Sequence, residues 1–103
     1  MLTRMDDVLL SKPRLSIVME LLGADWLSFT ELSRALNVSP GNLATHLARL
    51  VEAGYVAEQK GFHGRRPLTT YRLLASGKRA LTRHADWLAE MVAPIRRRGD
   101  VSA

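Results

Sequence analysis

Hydrophobic and polar positions change rhythm twice along this chain. Up to Gly54 the apolar residues recur at three- and four-residue steps, from Tyr55 to Leu74 they alternate, and beyond Ser76 the helical spacing returns. Residues 3–10, with Met5, Val8 and Leu9 on one side, predict a short amphipathic helix. Ser11 then stands as an N-cap with Pro13 near the first helical position, where a missing N–H leaves no bond unmade. Leu15, Val18, Met19 and Leu22 supply the apolar face of the helix that follows, and Gly23 stops it.

The strongest local pattern comes next. Ser28-Phe29-Thr30-Glu31 is a capping box, in which serine and glutamate each satisfy an amide at a helix start. Leu32, Ala35 and Leu36 form the apolar side of this brief helix, and Asn37 suits the left-handed residue that ends it. Ser39-Pro40 opens another helix at once, running to Ala53 and closed by Gly54. Two capped helices over 28–53, separated by a short turn, make a helix-turn-helix. Within 55–74, Tyr55–Lys60 and Thr69–Leu74 predict two strands, joined by a glycine-bearing hairpin loop over 61–68. Ser76 is expected to cap a long final helix covering 78–98. Leu81, Ala85, Leu88, Val92 and Ile95 form its stripe, Pro94 is expected to kink or end it, and Arg96–Arg98 to fray.

Composition narrows the class. A length of 103 residues supports one domain over 1–103, and 47% hydrophobic with 24% charged residues are globular proportions. The absence of cysteine excludes disulfides and thiolate metal sites. No apolar run exceeds three residues, so neither a membrane span nor a secretory segment is read, and a cytoplasmic location is expected. Fifteen basic against ten acidic residues give a net charge of +5. The excess is concentrated, because from Gln59 to Ala85 there is no acidic side chain, and Lys60, Arg65, Arg66, Arg72, Lys78, Arg79 and Arg83 all fall there. Such a block suits a polyanion.

The helix from Pro40 to Ala53 has two faces. Leu43, Leu47, Leu50 and Val51 point to a core. Asn42, Thr45, His46 and Arg49 recur opposite them, and each can hydrogen-bond a base edge in a DNA major groove. Ser39 and the helix start are expected to hold a phosphate. Arg65 and Arg66 at the loop, with Lys60, are expected to meet the minor groove or nearby phosphates. His46, His63 and His84 lack second ligands at metal spacing, so no metal or cofactor is read. No nucleophile elbow, phosphate-binding glycine loop or metalloprotease motif occurs, so no enzyme is expected. Trp26 and Trp87 read as core or interface anchors.

The segments Phe29–Leu32, Ser39–Leu43, His46–Leu50, Gly54–Val56 and Arg65–Tyr71, in this order, resemble the compact winged helix-turn-helix transcriptional regulators related to MarR and ArsR repressors. The resemblance covers about residues 12 to 85. It implies a mainly α fold with a small β-hairpin wing, and a homodimer whose terminal helices pair while its recognition helices enter successive major grooves of double-stranded DNA. Metal-sensing clusters and the long pocket-forming helices of larger relatives are missing, so no small-molecule effector is assigned. Leu2, Met5, Val8 and Leu9 at one end, and Leu88, Met91, Val92 and Ile95 at the other, have no evident place in such a core and are expected to form the dimer interface. A final helix folded back on its own domain is the competing arrangement. Two other functions fit the charge: an interaction module docking an acidic protein, and nonspecific packaging of nucleic acid.

Overall fold

The computed structural model describes residues 4–98. Its elements run α1 (Lys12–Leu22), β1 (Leu27–Ser28), α2 (Phe29–Leu36), α3 (Pro40–Glu52), β2 (Val56–His63), β3 (Arg66–Leu73) and α4 (Ala75–Arg97). The strands form one antiparallel sheet in the order β1-β3-β2. Four helices and this small sheet make a winged helix-turn-helix, as the sequence implies.

The caps act as the local sequence dictates. Ser11 Oγ accepts from the Arg14 amide at the head of α1. Ser28 and Glu31 complete a reciprocal box, at 3.0 Å from the Glu31 amide to Ser28 Oγ and 2.9 Å from the Ser28 amide to Glu31 Oε1. These bonds favour the ionised Glu31 carboxylate and hold its pKa below the ordinary value. Asn37 ends α2 at φ 52°, the left-handed conformation expected of it. Ser33 Oγ ties the turn by donating to the Val38 carbonyl at 2.9 Å.

The core lies where α1, α2, α3 and the sheet meet. Ile17, Val18, Leu21, Leu32, Leu43, Leu47, Leu50, Val56, Tyr71 and Leu73 are buried there, with Ala80 from α4. The apolar face of α1 differs from expectation. Ile17, Val18 and Leu21 face inward while Met19 and Leu22 are exposed, because this helix is apolar on several sides and its spacing alone does not select one. Ala35 of α2 is likewise exposed, and Val51 of α3 is only half-buried.

Residues 7–10 form a turn, not the expected amphipathic helix. Asp6 Oδ1 accepts from the amides of Val8 and Leu9, at 2.9 and 3.3 Å, and curls the chain locally. Tyr55 O–H donates to Asp6 Oδ2 at 2.6 Å, anchoring the turn to the junction of α3 and β2. Val8 and Leu9 thereby sink into the core of their own chain and are unavailable to a partner. That corrects their assignment to a dimer interface. Leu2 lies outside the described residues.

Three further corrections concern the C-terminal half. The strands extend through the expected loop, leaving only Gly64-Arg65 at the hairpin tip. Gly64 has φ +65°, as the first central residue of a two-residue type II′ turn requires. Second, α4 begins at Ala75 after Leu74, and Ser76 is no cap, since its hydroxyl donates across to the Gly54 carbonyl. Third, α4 does not end at Pro94 but runs on to Arg97, because proline near a helix end removes a single ladder bond. The core-facing stripe of α4 is Gly77, Ala80 and His84 with half-buried Leu81, while Ala85 and Leu88 are exposed. Among the described residues no helix is long and apolar enough to cross a membrane.

Candidate nucleic-acid interface

The helix-turn-helix projects α3 by burying Leu43, Leu47 and Leu50 against α1, α2 and the sheet. With about 3.6 residues per turn, the side directly opposite these leucines carries Gly41, Thr45, Ala48 and Glu52. Arg49 lies beside that line, Asn42 further round, and His46 on the flank facing α1. All are exposed except His46, which is half-buried. Sequence spacing brings out the hydrogen-bonding members of this face but misses its small ones. Gly41, Ala44 and Ala48 are exposed on the same helix, and short side chains let a helix backbone sit deep in a groove.

Each polar group has a defined state. At the head of α3, Ser39 Oγ accepts from the Asn42 amide at 3.4 Å, and Pro40 has no N–H. The Gly41 amide is then the first-turn donor without a partner among the described residues, suited to an anion at the positive end of the helix. Thr45 Oγ1 donates back to the Gly41 carbonyl at 3.1 Å, so toward solvent it offers a methyl group and an acceptor. Arg49 pairs with Glu52 at 3.2 Å, with the two side chains 43% and 76% exposed. A pair that open holds its arginine weakly and leaves it free to turn to another acceptor. Arg14 of α1, with Thr45, Ala48, Arg49 and Glu52, lines a shallow depression along α3.

The wing carries its cations on different sides. Directly paired residues share a face, so Lys60 and Thr69 lie with Phe62 and Pro67, whereas His63 and Arg66 lie on the other face. Arg65 sits in the turn between them. All of Lys60, Arg65 and Arg66 are exposed, and Phe62 is 74% exposed beside Pro67. The spread of Lys60 away from Arg66, and the exposed Phe62 ring on the Lys60 face, follow from strand register, which a loop over 61–68 would not have. At the base of the wing, Tyr71 O–H donates to Glu58 Oε2 at 2.9 Å, and Arg72 lies 5.7 Å over the Trp26 ring. Burial and the Glu58 carboxylate both raise the Tyr71 pKa.

A family model described as the winged helix DNA-binding domain matches residues 14–92. The chain belongs to the winged helix DNA-binding domain family. Solved structures repeat the shape of this winged helix domain. A transcriptional regulator homologue from Pyrococcus horikoshii OT3 superposes with a TM-score of 0.77 at 26% identity, over 84% of this chain and 86% of that one. HlyU from Vibrio cholerae gives 0.63 at 28% identity, over 84% and 85%. A MarR variant from E. coli, solved with operator DNA, gives 0.62 at 21% identity, over 82% of this chain and 63% of that one, a likeness of fold alone. No curated protein matches the chain in sequence.

The far half of α4 is the remaining surface of note. Trp87 is half-buried and stacks on His84, with ring centroids 5.5 Å apart. Beyond it Leu88, Met91 and Ile95 are 50%, 58% and 65% exposed, with Val92 half-buried and Met5 also exposed. The helix therefore does not fold back to bury this stripe within its own chain.

Proposed function

We propose that this winged helix domain is a homodimeric transcriptional regulator of double-stranded DNA, acting in the cytoplasm. The observation that carries the reading is the exposed face of α3. It combines small residues with Asn42, Thr45 and Arg49 and presents an amide without a partner among the described residues at its capped start. In this reading α3 enters the major groove, Asn42, Thr45, His46 and Arg49 read bases, and Ser39 with the Gly41 amide holds a phosphate. Lys60, Arg65 and Arg66 carry the wing onto phosphates or the minor groove. The operator complex of the MarR variant supports DNA as the partner. A helix built to dock an acidic protein needs a large apolar or aromatic anchor at its centre, and the outward side of α3 offers Gly41, Thr45, Ala48 and Glu52.

The dimer reading rests on Leu88, Met91, Val92 and Ile95 of α4 with Met5, an apolar stripe that calls for a cover. Two-fold pairing through α4 sets two α3 helices about 34 Å apart, one turn of DNA, and so selects an inverted repeat. Selection of bound sequences from a random duplex pool tests the whole reading and is expected to return a palindrome. On that site Arg49→Ala should cost about 1–3 kcal/mol and relax preference at one base pair per half-site. An equal loss on random DNA would make Arg49 a phosphate contact only.

A further inference from the structure

The flank of α3 holds a contact that the outward face does not explain. Arg14 Nη1 lies 3.4 Å from His46 Nδ1. The same guanidinium is fixed from behind, since its Nε donates to the Val8 carbonyl at 2.6 Å and its Nη2 to the Asp7 carbonyl at 3.4 Å. Those carbonyls belong to the turn that Asp6 curls and that Val8 and Leu9 root in the core. Arg14 is thus braced on the core-rooted turn and presents an N–H to the imidazole.

The geometry points to Arg14 as the positioning residue that sets which nitrogen of His46 reads DNA. A guanidinium has donors only, so His46 Nδ1 must accept, and the neutral ring carries its proton on Nε2. Nε2 has no partner among the described residues and becomes a single N–H donor on the edge of the recognition helix. Such a donor selects an acceptor in the major groove: N7 or O6 of guanine, N7 of adenine, or O4 of thymine. It rejects the amino groups of cytosine and adenine. This assignment rests on the proposed DNA reading, but its structural half stands apart from it.

Arg14→Lys keeps the charge while losing the fork that spans Val8, Asp7 and His46, and His46→Gln keeps a donor near the Nε2 position without needing Arg14. In duplex binding, Arg14→Lys is expected to lower preference at one base pair per half-site about five- to tenfold, the effect of one misplaced hydrogen bond. Random-duplex affinity and salt slope should not change. The same substitution should cause no further loss in His46→Ala, and His46→Gln should keep the preference whichever residue occupies position 14. Nitrogen-detected NMR of the free full-length protein, read on the neutral ring form, should show Nδ1 bare and Nε2 protonated. Arg14→Lys should move the His46 Nδ1 resonance and leave those of His63 and His84 in place. A proton on Nδ1, or an Nδ1 resonance indifferent to Arg14→Lys, overturns the proposal. So does an equal loss in the His46→Ala background. If no preferred duplex emerges from the random pool, the DNA reading fails, and the NMR result alone decides whether Arg14 sets the His46 tautomer.

Discussion

Removing the two arginines at the tip of the wing isolates its electrostatic contribution. Arg65 lies in the turn and Arg66 at the first position of β3; both are exposed, and neither makes an ion pair among the described residues. The turn itself is made by Gly64 at φ +65° and by the β2–β3 ladder. Arg65→Ala with Arg66→Ala should therefore leave stability within about 0.5 kcal/mol of the parent, as for other surface changes. Each lost phosphate contact lowers the slope of log affinity against log salt by about 0.9, so the pair lowers it by about 1 to 2. From about 50 to about 200 mM salt, one contact is worth a factor of about 3.5 in salt sensitivity and two about 12. The variant's deficit should be large at low salt and shrink by about that factor at high salt, equally on a selected site and on random duplex. Fluorescence anisotropy across a salt series measures it. A slope unchanged from the parent would show that the wing stays clear of DNA. Lys60→Ala, on the opposite wing face from Arg66, reports separately whether that face meets phosphate.

Three other outcomes follow from packing and titration. A Cβ at Gly77 would run into the Tyr55 carbonyl and the Leu73 side chain. Gly77→Ala should therefore destabilise by about 1–3 kcal/mol in denaturant unfolding, although alanine is the better helix former by about 1 kcal/mol; a stabilised variant would refute the close contact of α4 with the α3–β2 junction. Leu88→Glu with Val92→Glu should leave a folded monomer with weakened operator binding in sedimentation and binding assays, whereas a parent that already sediments as a monomer at micromolar concentration would remove the dimer reading. Both tyrosines of the chain have raised pKa values, Tyr71 through burial and then Glu58, and Tyr55 through burial and then Asp6, partly offset by Arg83. A phenol whose pKa is higher folded than unfolded contributes stability that is complete below the unfolded pKa of about 10 and is lost as pH rises beyond it. Phenolate absorbance should therefore appear together with unfolding above pH about 10, and a tyrosine titrating normally in the folded protein would contradict these contacts.

What could be read from the chain alone was what depends on near neighbours. The Ser28–Glu31 box, the Ser39-Pro40 start and the left-handed Asn37 are settled within four residues, and all three stand where the sequence puts them. The misplaced features depend on partners distant in sequence. β1 is two residues long and exists because Leu27 and Ser28 pair with Tyr71 and Thr70. The wing strands lengthen because the ladder, once started by Val56 and Leu73, continues to the Gly64 turn regardless of side-chain pattern. α4 starts early because Ser76 is drawn to the Gly54 carbonyl and Gly77 permits close approach. In the site, the outward face of α3 was legible from helical period for its polar members. The small residues between them carry no hydrogen-bonding signal that would mark them as part of the site.

The N-terminal turn shows how a segment that fails the periodic pattern gains its place in the fold. Met5, Val8 and Leu9 satisfy a helical spacing, yet Asp6 takes the Val8 and Leu9 amides on its carboxylate, which a helix over 3–10 would have bonded to the carbonyls of residues 4 and 5, and so starts a single turn at Asp7. The same carboxylate accepts from Tyr55 at the foot of the wing, while the carbonyls of Asp7 and Val8 are taken by Arg14, which in turn meets His46. One short turn therefore touches the junction from which the wing springs and the flank of α3. A brace between these two elements favours one relative placement of them, and geometry set beforehand lowers the ordering cost of binding a partner.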